Sequence, residues 1–107
     1  MEDWILNRLD EIKNRFGEIE VLMTKQEIVS NQSEMKKLSK EYKNLEKINK
    51  LWDEYNKTSI ELEETKEMMD SEDNEISELA KLENDTLSKN LEILFSELNK
   101  ELIPKDA

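Results

Sequence analysis

The chain has 107 residues and a formal net charge of −11, and 40% of its residues are charged while 36% are hydrophobic. This length allows one domain at most, and the low apolar content excludes a thick globular core. One glycine and one proline in the whole sequence exclude hairpin-rich and sandwich folds, because those folds need turn residues about every ten positions.

The first predicted element is a helix over residues 2–23. Its apolar residues recur at alternating steps of four and three, which places them on one stripe of an α-helix. The stripe consists of Ile5, Leu9, Ile12, Phe16, Ile19 and Met23. Gly17 lies inside this helix and is interpreted either as a tolerated residue or as a close crossing point. A loop is predicted at residues 24–31, where Asn31 followed by Glu34 resembles a capping box and Ser30 is the rival cap.

A second helix is predicted over residues 32–70. Its apolar stripe comprises Met35, Leu38, Tyr42, Leu45, Ile48, Trp52, Tyr55, Leu62 and Met69. Such a helix would be about 57 Å long at 1.5 Å per residue. It is too long for a compact ball, so it must lie along helices of similar length.

The segment DSEDNE, residues 70–75, has no apolar side chain and offers Ser71, Asp73 and Asn74 as helix caps. A third helix is predicted over residues 74–102 and ends before Pro104, which disfavours helical geometry at Ile103. Its stripe comprises Ile76, Leu79, Ala80, Leu87, Leu91, Leu94, Leu98 and Leu102. Two short connections make neighbouring helices antiparallel. The predicted fold is all-α, an elongated antiparallel three-helix bundle resembling a coiled coil, within a single domain over residues 1–107.

Lysines stand out on the second predicted helix. Residues 36–50 hold six lysines against two glutamates, whereas residues 61–78 hold nine acids against Lys66. Five of the lysines fall within an arc of about 80° at 100° per residue, opposite the apolar stripe. These five are Lys36, Lys40, Lys43, Lys47 and Lys50. Two interpretations stay open: a solvated outer face, as amphipathic helices have, or a docking face for phosphate or an acidic partner.

Catalysis and metal binding have little support in the residues. Without histidine or cysteine there is no Ser-His or Cys-His pair and no zinc set. The acidic segment 70–75 lacks the glycine and the final glutamate of a calcium loop. We therefore expect that the chain is not an enzyme and that it binds no cofactor and no metal ion.

The N-terminus has no signal-peptide apolar region, and no run of about 18 apolar residues occurs. The expected location is cytoplasmic, without membrane contact.

The segment EIVSNQSEMKKLSKEYKNLEKI, residues 27–48, resembles the N-terminal domain of bacterial class I peptide chain release factors. A similar stretch there reads Glu-Val-Ile-Ser-Asp-Gln, then Leu-Ser-Lys-Glu-Tyr and Leu-Glu-x-Ile. The closing ELIPKDA looks like the Leu-Pro-Lys-Asp segment of that domain, and LWDEYNK matches an aromatic-x-x-Glu-Tyr pattern. The packing and family-motif residues are Leu38, Tyr42, Leu45, Trp52, Tyr55 and Pro104. Gln26 and Lys47 depart from the family, which often has proline at these places, and a more continuous middle helix is expected.

The LSKEY stretch favours the factor 1 type, which reads UAA and UAG. The resemblance implies a role in translation termination, as an isolated first domain whose catalytic Gly-Gly-Gln and codon-reading elements are absent from a chain that stops at Ala107. It implies as partners the ribosome, at the GTPase-associated region of the large subunit, and the GTPase release factor. Autonomous nucleic-acid binding is not expected at a net charge of −11, and a weak homodimer is allowed. The alternative is a free-standing coiled-coil adaptor or helical-arm chaperone that self-associates.

Overall fold

The computed structural model describes residues 2–103, which form four α-helices. Three are long: α1 (Asp3–Leu22), α3 (Gln32–Met69) and α4 (Asn74–Leu102). The fourth, α2 (Gln26–Val29), is one short turn between α1 and α3. Residues 2–103 contain no strand, and the predicted all-α class is therefore confirmed.

The described chain packs as two compact units, residues 2–50 and Leu51–Ile103. The boundary lies inside α3, which is helical on both sides of it and is continuous through Lys47. The prediction of one domain over residues 1–107 stays a prediction.

In the first unit, the apolar stripe of α1 supplies most of the core. Phe16 of α1 stacks on Tyr42 of α3, with ring centroids 4.6 Å apart and an interplanar angle of 23°. Burial of an aliphatic side chain stabilises a fold by roughly 1.5–3 kcal/mol, so a short stripe is enough to hold two helices together. The buried apolar side chains of this unit are Ile5, Leu9, Ile12, Ile19, Leu38 and Ile48.

In the second unit, the end of α3 and the whole of α4 form an antiparallel hairpin. Near the turn, the Ser77 hydroxyl donates a 2.8 Å hydrogen bond to the Met69 carbonyl. Farther from the turn, the rings of Tyr55 and Phe95 lie 6.4 Å apart. Later residues of α4 thus meet earlier residues of α3, as antiparallel helices require. The buried side chains here are Thr65, Ala80, Leu87, Leu98 and Leu102.

Side-chain caps fix where α3 and α4 begin. The Asn31 carboxamide oxygen accepts a 3.2 Å hydrogen bond from the Glu34 backbone N–H, whereas the Ser30 hydroxyl donates to a carbonyl of α2. Asn31 is therefore the cap and Ser30 is not. Asp73 caps α4, because its carboxylate accepts from the Glu75 backbone N–H at 3.0 Å. Both caps satisfy N–H groups that have no partner within their helix.

The structure corrects four of the expectations. The predicted loop contains α2, whose single turn is too short to show a helical period in the sequence. Ile76 and Leu79 are exposed, because the buried stripe of α4 begins only at Ala80. Gly17 is not a crossing point, since a Cβ atom placed there would meet nothing within 4 Å. Leu45 is half-buried and not fully enclosed.

Candidate functional site

The lysine face, defined as Lys36, Lys40, Lys43, Lys47 and Lys50, lies on α3 within the first unit. All five side chains are exposed. Leu38 and Ile48, on the opposite arc of the helix, are 6% exposed each. The helix therefore separates an ammonium face from a packing face, as the spacing predicts.

Few carboxylates neutralise this face. Lys50 approaches Glu46 only to 4.0 Å, with the Lys50 side chain 74% and the Glu46 side chain 43% exposed, so the pair contributes little. Within residues 2–103, Lys36, Lys40 and Lys43 have no carboxylate oxygen within 4.0 Å. Ammonium groups in this state are available to phosphate oxygens without first breaking an ion pair.

Glu41, which lies among these lysines in the sequence, is held by α1. Its two carboxylate oxygens accept from Arg15, at 2.7 Å from Nε and 3.1 Å from Nη2. The third Arg15 nitrogen, Nη1, donates to a Glu18 carboxylate oxygen at 3.2 Å. The hydrogen bond that Arg15 donates lowers the pKa of Glu41. The hydrogen bonds that Glu41 and then Glu18 accept raise the pKa of Arg15. Glu41 is thus directed towards α1 and does not cancel the charge of the lysine face.

The packing and family-motif residues occupy the inner side of α3. Leu38 is buried, and Tyr42 stacks on α1 as described above. Trp52 and Tyr55 stack on each other with ring centroids 5.6 Å apart. Tyr42 thus contacts α1 and Tyr55 contacts α4, and Pro104 lies outside the described residues.

Sequence reasoning missed two partners of α3. Arg15 reaches Glu41 across 26 positions of the chain, and Phe95 meets Tyr55 across the hairpin. Neither pair lies at the i, i+3 or i, i+4 spacing that marks helix neighbours in a sequence. The one available signal for Arg15 is its position beside the stripe residue Phe16, which predicts that it borders the packing surface.

Residues 2–103 contain no group of three or more acidic side chains arranged to hold a metal ion. No helix in the described part of the chain is both long and apolar enough to cross a membrane.

By fold, the chain is an all-α protein of long paired helices. The sequence model of the PCRF domain matches residues 12–107, which is most of the chain. The chain therefore belongs to the PCRF domain family, and thus to the class I release factors. This membership gives it a role in translation termination and a ribosome-related partner. No curated protein and no solved structure matches the chain.

Proposed function

We propose that the chain serves as the helical first domain of a release factor of the factor 1 type. In this role it supports docking on the ribosome, at the GTPase-associated region of the large subunit, and contacts the GTPase release factor. It works in the cytoplasm and performs no chemistry of its own. The match of the PCRF domain to residues 12–107 is the observation that supports a release-factor domain, and the LSKEY stretch of the sequence supports the factor 1 type.

The lysine face is the surface we assign to ribosome docking. Three of its ammonium groups, those of Lys36, Lys40 and Lys43, project from successive turns of α3, about 5.4 Å apart along the axis. A row with this spacing can follow the phosphate backbone of an RNA strand, where each contact releases a counterion. The net charge of −11 opposes binding to RNA in general. The face therefore acts when other contacts already hold the domain on the ribosome.

A competition experiment tests this function. The 107-residue chain, labelled with a fluorophore, is titrated with ribosomes stalled at a UAG codon, and a full-length factor 1 type protein is then added as competitor. We expect salt-sensitive binding that the full-length factor displaces, and no peptide release by the chain alone. Binding that the full-length factor leaves unchanged would contradict the proposal.

A self-associating adaptor is the second candidate. The observation in its favour is the exposure of apolar side chains on α4, with Leu79 at 66% and Leu82 at 67%. Sedimentation equilibrium separates the two functions, because an adaptor forms a stable oligomer at micromolar concentration. We expect a monomer or a weak dimer.

A further inference from the structure

Large apolar side chains are exposed on the α3–α4 hairpin between residues 54 and 97. Their exposed fractions lie between 45% and 67%. Isolated exposed apolar residues are ordinary, but several on one face of an element mark an interaction site. The exposed apolar side chains of the hairpin are Ile60, Met68, Ile76, Leu79, Leu82 and Ile93.

Three of these side chains share one face of α4. At 100° per residue, Leu79, Leu82 and Ile93 fall within an arc of about 60°. This arc is rotated by about 130° from the buried stripe that includes Ala80 and Leu87. The second apolar arc is thus separate from the core stripe of the same helix.

A groove between α3 and α4 continues this face. It has a volume of about 520 Å³, and Ile93 and Leu94 of α4 line it opposite Lys57 and Glu61 of α3. At 100° per residue around the axis of α3, Met68 falls between Lys57 and Glu61. It therefore continues the α3 side of the groove towards the turn between α3 and α4. We call Met68, Leu79, Leu82 and Ile93 the hairpin face.

Carboxylates border the hairpin face. Glu54, Glu61 and Glu97 line the groove, where Lys57 is the one cation among its lining residues. A second concavity of about 450 Å³, at the start of α4, is bordered by Glu75 and Glu78 beside Leu79. The exposed apolar side chains of the hairpin face thus lie beside acidic side chains, which we call its acidic margins.

We propose that the hairpin face binds a basic amphipathic α-helix of a partner protein. From Glu54 to Met68 the wall of α3 extends about 21 Å, which is the length of four helical turns. A helix of that length would place Leu or Ile side chains on Met68, Leu82 and Ile93, and its Lys or Arg side chains against the acidic margins. Apolar anchors of this kind are the usual mode by which a groove takes a helix.

The negative charge beside the hairpin face favours a basic helix over a second copy of the chain or nucleic acid. Pairing of the hairpin faces of two copies of the chain would bring two acidic surfaces together, and like charges across an interface oppose association. Nucleic acid is repelled for the same reason. The acidic margins attract a basic helix, and the apolar side chains of the hairpin face can pack against its apolar face. A basic amphipathic helix is therefore the occupant that fits this surface.

The test uses a synthetic 18-residue peptide of leucine, lysine and alanine with leucines on one helical face. Its binding to the full chain is followed by fluorescence anisotropy. Two control peptides accompany it, one with glutamate in place of lysine and one with the same composition in scrambled order. We expect binding of the first peptide alone, weakened by raising the salt concentration.

Matched variants localise the site. Ile93→Ser combined with Leu82→Ser is expected to weaken peptide binding at least about tenfold, as loss of interface anchors does. Ile60→Ser removes an equally exposed isoleucine, at 61% against 56% for Ile93, from outside the hairpin face and should leave binding within about twofold of the parent protein. Circular dichroism confirms that all variants keep their helices.

The charge of the margins is tested separately. Glu54→Gln, Glu61→Gln and Glu97→Gln together should weaken binding, whereas three neutralised acids in the first unit should not; the control set is Asp10→Asn, Glu20→Gln and Glu27→Gln. Equal affinity in both triple variants would overturn the proposal, as would equal binding of the scrambled peptide. A dimer that Ile93→Ser dissociates would overturn it too, because a second copy would then occupy the face.

Discussion

Arg15 and Glu41 form a two-point ion pair that ties α1 to α3, with nitrogen to oxygen distances of 2.7 Å and 3.1 Å. Arg15 is next to Phe16 and Glu41 is next to Tyr42 in the chain, and those two rings stack at 4.6 Å. A charged contact and an aromatic contact thus join α1 and α3 at the same position along the two helices. The planar guanidinium matches a carboxylate at both oxygens, which gives this pair a defined geometry.

The ion pair predicts how stability responds to acid. Arg15 holds the pKa of Glu41 below its ordinary value of 4.5, so the stabilisation is present above that value and is lost as the pH falls through the lowered pKa of the folded state. At pH 7, Glu41→Gln should melt at a lower temperature than the parent protein. Because the pair is partly exposed, at 41% and 39%, solvent screening keeps the difference small.

The measurement is the difference in melting temperature between parent and Glu41→Gln from pH 7 to pH 3, followed by circular dichroism. The difference should shrink below pH 4.5 and vanish when Glu41 is protonated in both folded and unfolded states. Glu20→Gln, an exposed acid on α1, is the control and should show no such trend. A difference that stays constant to pH 3 would mean that the pair does not stabilise the fold.

Replacing a fully buried side chain with alanine should lower the free energy of unfolding more than replacing a half-buried one. Ile19 and Leu98 are both 0% exposed, and replacing either with alanine should lower the free energy of unfolding by about 2–5 kcal/mol. Leu45→Ala and Leu94→Ala should cost less, because both side chains are only half-buried. Urea denaturation gives these values. If Leu45→Ala proves as costly as Ile19→Ala, the assignment of the core is wrong.

Gly17 offers a stabilising substitution. It lies in the middle of α1 with open space where a Cβ atom would project, and its backbone does not adopt a positive φ. Alanine in place of glycine inside a helix is worth about 1 kcal/mol. Gly17→Ala should therefore raise the melting temperature. A lower melting temperature would show that a Cβ atom at this position clashes with a neighbouring group.

The positive charge of the lysine face should strengthen binding of the chain to the ribosome. Lys40→Glu with Lys43→Glu reverses two exposed charges on this face, and we expect it to weaken binding to stalled ribosomes and to reduce the salt dependence of that binding. The control makes the same charge change on α4, with Lys81→Glu and Lys89→Glu, both exposed. Equal loss in both double variants would mean that net charge matters and the lysine face does not.

The sequence predicts the long helices well, because their signals are local. The period of Ile5, Leu9 and Ile12 marks the buried stripe of α1, and Asn31 and Asp73 mark where α3 and α4 begin. Each signal lies within a few residues of the feature it predicts.

Features that depend on distant residues could not be predicted. Ile76 and Leu79 share the helical spacing of the last stripe but are exposed, since spacing does not say where a neighbouring helix ends. Thr65 is buried at 4% exposure because its hydroxyl donates to the Glu61 carbonyl one turn earlier, which lets a polar side chain fit an apolar surface. The lysine face was visible in the sequence, whereas the hairpin face emerged only from the exposure of side chains.

The most direct test of the account is a domain replacement. This chain replaces the first domain of a factor 1 type release factor, and multiple-turnover peptide release at a UAG codon is measured with and without the GTPase release factor. We predict that the GTPase factor stimulates turnover of the chimera as it does for the intact parent. Turnover equal to that of a truncated factor lacking its first domain, with or without the GTPase factor, would contradict the account.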